Sequence, residues 1–308
     1  MVMRKKLASI FICALSSSGC ANAQPTPDIK ADSPATSQSH TTINHDLSRY
    51  LDDLRRLDNV AARIFQANAT QCQHRGRDPG VITHDRAKFP RKLRAYAKEG
   101  LKISSDPKVI LVRKHGPASA LRQGDILLGP DDEAVTSTSQ AVQTYLAAGF
   151  LRVRRDGIKE IISVPAPLAC AYQVKLKIDP QVGAKLSGGQ IIVTTGLLDF
   201  TRTDSELAYV LGHELAHGIK NHMRKAVRSG GLLGLANKEM RALEIEADKT
   251  GVVIMARAGY DIRDADIFWQ RMISENLQNN LAGKAHPARK ERLFHINSAI
   301  TAYRAEQN

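Results

Sequence analysis

Apolar residues first fall into register at Leu47. From there Leu47, Tyr50, Leu51, Leu54, Leu57, Val60, Ala61, Ile64 and Phe65 recur at intervals of three and four, with Arg and Asp residues between them. That period places them on one face of a helix of about six turns, ending before Cys72. Such a helix needs a partner to cover its apolar face. From about Lys92 to Pro167 the pattern changes to short runs broken by turns. Residues 100–103, 109–112, 126–127, 151–155 and 161–164 read as strands, with one helical stretch over 139–148. Val174-Lys175-Leu176-Lys177-Ile178 alternates as a strand, and a Gly188-Gly189 turn leads into a second one, residues 190–195. Helical spacing then returns through Leu207, Val210, Leu211 and Leu215, and continues in residues 237–258, 264–281 and 287–306. The sum predicts an α+β fold: a mostly helical domain with a small sheet, plus an inserted β-rich unit.

The residues before Leu47 are of another kind. Arg4, Lys5 and Lys6 precede a short apolar run, Leu7 to Leu15, which is too short to span a bilayer comfortably. This reads as an export signal over 1–23, with two cleavage readings. Ala21-Asn22-Ala23 suits ordinary signal peptidase, whereas Gly19-Cys20 resembles a lipobox in which Cys20 would carry a lipid. Residues 24–45, rich in Pro, Ser, Thr, Asp and Gln, read as a disordered linker. The expected location is therefore the bacterial periplasm, with a lipid anchor to the outer membrane as the second possibility.

Charge and cysteines fit that reading. Loss of Arg4, Lys5 and Lys6 with the leader would lower the net charge from +13 to +10; that balance suits an anionic membrane surface or acidic proteins, and simple solubility is the slightly preferred explanation. Aromatic content of 5% argues against a nucleic-acid platform. Cys13 and Cys20 lie in the leader, which leaves Cys72 and Cys170 as an even pair. An oxidising compartment predicts a disulfide between them; two buried free thiols are the alternative.

The chemistry concentrates in His213-Glu214-Leu215-Ala216-His217. Two histidines four apart share one face of a helix, so both imidazoles can reach a single Zn2+ ion, and Glu214 between them can take a proton from a water beside it. Thr203-Asp204-Ser205-Glu206 reads as a capping box that starts this helix. A hydrolytic zinc needs a third protein donor. Glu244 and Asp248 stand four apart on one face of a later helix, while Glu246 is turned about 200° from Glu244. Glu244 is the expected ligand, and Asp248 the group that holds a histidine ring nitrogen. His222, five residues after His217, is expected to point away from the metal because the helix would rotate it by about 140°.

Two resemblances add to this. Gly116-Pro117-Ala118, Gly124-Asp125-Ile126 and Arg155-Asp156-Gly157 resemble a bacterial PDZ domain over 91–168, with residues 100–103 in the place of its carboxylate-binding loop and Lys102 where the family has glycine. PDZ domains add an extended peptide to a sheet edge. Gly196-Leu197-Leu198, the His213–His217 motif, Glu244-x-x-Ala247-Asp248 and His286-Pro287 followed by Arg292 resemble family forty-eight of the metallopeptidases, the gluzincins that include HtpX-like and CAAX prenyl proteases. The closer likeness is to its exported, quality-control members.

That second resemblance implies one zinc per chain at His213, His217 and Glu244, and Glu214 as catalytic base. It implies an edge strand, Ile191, Ile192, Val193 and Thr194, along which a polypeptide substrate lies. His286 is either the cap of the last helix or a group that occupies the open zinc position, and Arg292 orders the site or steadies its transition state. The implied domains are a helix over 46–90 packing on a peptidase domain over 169–308. The expected activity is endoproteolysis of exported or misfolded envelope proteins. Two readings compete with it: a non-catalytic chaperone or adaptor using the PDZ-like unit, and a zinc hydrolase acting on a non-peptide bond.

Overall fold

A computed structural model describes residues 34–228, 237–275 and 288–307. The long first helix, α1, runs Pro34–Ala67. It therefore extends back through residues expected to be a disordered linker. The stretch from Pro34 to His45 contains no internal proline or glycine, so a helix already fixed downstream can propagate through it, and Pro34 occupies the first helical position, where its missing N–H costs nothing. Leu47, Tyr50, Leu54, Leu57, Val60, Ala61, Ile64 and Phe65 are buried in the main core. From the opposite side Arg56 donates to the carbonyls of Leu198, Thr201 and Thr203.

After α1 the chain enters β1 (Arg75–Arg77), β2 (Val81–His84), helix α2 (Arg94–Gly100) and β3 (Lys108–Val112). A meander follows: β4 (Ile126–Leu128), β5 (Ala134–Val135), helix α3 (Gln140–Ala147), β6 (Phe150–Arg155) and β7 (Ile158–Ser163). β4, β5, β6 and β7 form one antiparallel sheet in the order β5-β4-β6-β7, and β2 pairs with β3. Val81, Val109, Leu121, Leu127, Val142, Leu151 and Val153 are among the residues of a second, smaller core.

The boundary between the two cores differs from the expected break at residue 91. Phe89, Leu93, Ala97 and Ile103 belong to the main core, so α2 and the 100–103 loop pack there and not on the small sheet. The short apolar run 93–103 does not distinguish helix from strand by period. β3 serves both cores: Val109 faces the smaller one, Ile110 and Leu111 the larger.

The chain returns through β8 (Leu168–Cys170), which pairs antiparallel with β1. Cys72 and Cys170 are joined by a disulfide with their Cα atoms 5.4 Å apart. Then come β9 (Gln173–Lys177), β10 (Ala184–Ser187) and β11 (Gln190–Thr194), in a sheet of order β10-β11-β9. β10 and β11 form a hairpin whose two turn residues, Gly188 and Gly189, both have positive φ, the conformation this turn needs.

The strand Ile191 to Thr194 is thus central, hydrogen-bonded on both sides. It is not the edge on which a substrate was expected to lie. Its β-branched residues mark it as buried, which in a three-stranded sheet is the property of the middle strand. The edges are β9 and β10, and it is β10, with its short alternation Ala184-Lys185-Leu186-Ser187, that lines the groove described below.

Among the described residues six helices follow: α4 (Thr195–Phe200), α5 (Asp204–Ile219), α6 (His222–Arg228), α7 (Asn237–Arg257), α8 (Arg263–Ser274) and α9 (Arg289–Gln307). α5 lies at the centre, packed against α1, α7, α8 and β10. Among the described residues no helix is long and apolar enough to cross a membrane. Cys20 and His286 lie outside the described residues.

Candidate metal centre

α5 starts where its capping sequence says it should. Thr203 Oγ1 accepts from the Glu206 N–H at 3.1 Å, and the Glu206 carboxylate reaches back to the Arg202 N–H at 2.7 Å and is held by Arg271 at 2.6 Å. From there one and a half turns are apolar and buried before His213.

α7 crosses α5 at close range because both helices lack a side chain at the crossing. A Cβ on Gly212 would stand 2.8 Å from the Gly251 carbonyl oxygen, and one on Gly251 would stand 3.0 Å from the His213 nitrogen. This approach brings Glu244 and Asp248, one turn apart on α7, up to the histidines of α5.

The result is a convergence of donors. His213 Nε2 and His217 Nε2 are 3.1 Å apart. The Glu244 carboxylate lies 3.7 Å from the first and 3.5 Å from the second. One atom from each of the three residues lies within 4.8 Å of the others. Tetrahedral zinc with bonds near 2.1 Å holds its donors about 3.4 Å apart, so these separations fit one ion. The donor chemistry fits as well. Two ring nitrogens facing each other at that range oppose their lone pairs unless a cation or a proton lies between them.

Around this triad the groups are held from outside. Asp248 is fully buried; Arg292 of α9 grips its two oxygens at 2.8 and 2.6 Å, and Tyr209 donates to it at 2.9 Å. Trp269 in turn donates to the Tyr209 hydroxyl at 3.1 Å. Asp248 Oδ1 stands 3.0 Å from His213 Nδ1, but out of line with the ring N–H, which makes this an electrostatic contact more than a formed hydrogen bond.

The titration behaviour follows from burial and these partners. Burial alone would raise the Asp248 carboxyl, but Arg292 outweighs it and holds it below its ordinary value. Burial draws the His213 imidazole down; the neighbouring Asp248 more than reverses this. The His217 imidazole is pushed down to about 3, first by burial and then by His213. Burial raises the Glu214 carboxyl, with His213 and a backbone N–H pulling the other way.

Glu214 does not join the donor cluster. Its Oε2 accepts from the Leu186 N–H of β10 at 2.7 Å. A groove of about 950 Å³ opens here. Its walls are β10 and the turn after it, the three donors, Glu214, and apolar side chains including Tyr172, Val210, Met223 and Val227. Gly218 gives Tyr172 its place: a Cβ there would overlap the tyrosine hydroxyl.

Two residues at this site escaped the sequence reading. α5 ends at Ile219, and Asn221 has φ 53°, a left-handed conformation that Asn tolerates better than most residues. The 140° rotation expected for His222 therefore does not apply. Its ring returns to His217, with 3.0 Å between the two Nδ1 atoms, and its Nε2 meets Glu246 at 3.2 Å. An asparagine just past the last periodic residue was the signal that could have shown it. Glu246, expected only to be turned away from Glu244, is the partner of His222.

Two histidines and a carboxylate thus converge on crossing helices, with the half-buried Glu214 beside them and a strand edge along the groove. Residues 175–237 and 227–300 match Peptidase family M48. The similar proteins include mitochondrial metalloendopeptidase OMA1 of Arabidopsis thaliana, 29% identical over 152 residues, covering 40% of this chain and 30% of that protein. The OMA1 protein of Schizosaccharomyces pombe is 28% identical over 167 residues, covering 45% and 50%. The human one is 30% identical over 124 residues, covering 28% and 23%. The chain thus spans half or less of the length of these relatives.

These relatives correct the expected location. All are mitochondrial proteins by name, which overturns the assignment to a bacterial periplasm. The physical reason lies in the leader. A short basic segment without Asp or Glu before Asp28 does not by itself name the compartment it addresses.

Proposed function

We propose that this chain is a zinc-dependent endopeptidase that cleaves extended polypeptide, with the zinc held by His213, His217 and Glu244. The observation that carries the reading is the convergence of these three donors beside the half-buried Glu214 and the edge strand β10. The names of the M48 relatives support it. Zinc, when bound, polarises a carbonyl and makes a neighbouring water more acidic.

The chain's own residues supply the rest. Glu214, its carboxyl raised by burial, accepts the proton of the attacking water and returns one to the departing amine. Asp248 fixes the orientation of His213, and Arg292 keeps Asp248 in place and ionised. β10 offers its outer edge to a substrate strand.

The test is zinc analysis of the purified protein together with casein digestion before and after chelation. Near one zinc per chain, with proteolysis lost on chelation and restored by zinc, is the expected result. Unchanged proteolysis in a metal-free protein would overturn the reading. An adaptor function for the PDZ-like lobe has no observation in its favour. Gln143 of α3 bonds both backbone groups of Arg77 of β1.

A further inference from the structure

His222 and Glu246 stand outside the donor triad, and nothing described so far uses them. We infer that they form a positioning pair for His217, fixing its tautomer and ring angle so that Nε2 faces the metal. The inference rests on the proposed zinc centre.

The hydrogen-bond directions leave one consistent arrangement. A neutral imidazole that offers Nε2 to a metal keeps its proton on Nδ1. His217 Nδ1 then donates to His222 Nδ1 at 3.0 Å. His222 must carry its own proton on Nε2, where it donates to Glu246 Oε2 at 3.2 Å. The chain ends on a carboxylate that is itself held, by Lys225 at 3.1 Å and Lys220 at 3.4 Å. No other tautomer of His222 satisfies both contacts.

The geometry is built, not incidental. The two rings meet edge to face at 86° with centroids 4.9 Å apart, and His222 is 2% exposed. The backbone turns at Asn221 to bring it there, and Asn221 accepts from the Lys225 N–H to start α6. His213 receives the corresponding support from Asp248 and Arg292. The two zinc-facing rings thus each have an anchor: one through α7 and α9, the other through α6 and α7.

The experiment measures zinc affinity by competition with a chromophoric chelator for the full chain and three variants. His222→Leu should weaken zinc binding by ~10- to 100-fold, the usual effect of removing a group that orients a metal-binding histidine. His222→Asn, whose amide oxygen falls where Nδ1 was, should recover most of the loss. Glu246→Ala should weaken binding in the same direction by less. The Co2+-substituted protein should show its visible d–d bands shifted in His222→Leu and restored in His222→Asn. Melting of each metal-free variant reports any merely structural role, which would lower stability without the rescue in affinity. Wild-type affinity in His222→Leu, or equal weakness in the Leu and Asn variants, overturns the inference. A wild-type chain that takes up no zinc defeats the metal centre itself, a distinguishable result.

Discussion

Glu214 and Glu244 show how the same residue type takes different roles at one site. Glu244 shares a face with two imidazoles; Glu214, on the same helix as those imidazoles, is turned away from them and bonded to a backbone N–H. Replacing Glu214 by Gln keeps that bond, since the amide oxygen still accepts. Hydrolysis should fall by ~10²- to 10⁴-fold while zinc content stays near that of the wild type, measured by peptide turnover and metal analysis. Loss of both together would mean that Glu214 is a ligand. A second residue-scale effect lies far from the groove. His84 is pushed down to about 4 by burial, its ring packed edge-on against Phe89. It is therefore uncharged in the folded chain and protonates more readily when unfolded. Its contribution is complete above pH ~6.5 and is lost as pH falls toward about 4. In His84→Gln the drop in thermal midpoint between those pH values should be smaller than in wild type.

At the scale of elements, the site depends on how closely two helices cross. Gly212 and Gly251 set that distance, and the donors of α7 reach those of α5 only because of it. In an isolated helix Gly→Ala is stabilising by up to ~1 kcal/mol. Gly251→Ala should instead cost ~1–3 kcal/mol in urea unfolding, the price of overpacking, and weaken zinc binding as Glu244 retreats. Much at this scale was legible from the sequence. The periods of α1, α5 and α7, the Thr203 cap and the pairing of Glu244 with Asp248 all follow from spacing along single helices. What could not be read depended on neighbours in space. β10 does alternate, Ala184-Lys185-Leu186-Ser187, but over only four residues, too short a run to stand out, and β11 looks like a strand of any kind until its partners are known. His222 stands outside the donor group as expected, but its contact with His217 was missed because the helix was assumed to continue past Asn221.

For the whole molecule, the two cores are joined in several ways. β3 contributes to both, Arg113 just beyond it bonds Asp58 of α1 and Asp78, and the disulfide closes the segment between them. The bridged residues are 98 apart, for which the chain-entropy estimate is up to ~4.7 kcal/mol. A Cys72→Ser/Cys170→Ser double variant should lose several kcal/mol of that stability in urea unfolding, and reducing agent should lower the wild-type melting temperature toward the variant's. Equal stability would show that packing alone holds the lobes. With β3 shared, calorimetry should record one transition and not two.

The bond from Leu186 to Glu214 has one more consequence. The strand that would register an incoming chain and the carboxylate that would deprotonate its attacker are tied through a single backbone amide. A guest laid along β10 would be measured from the same point as the base, so that the choice of bond to cut and the reach of the group that cuts it share one ruler.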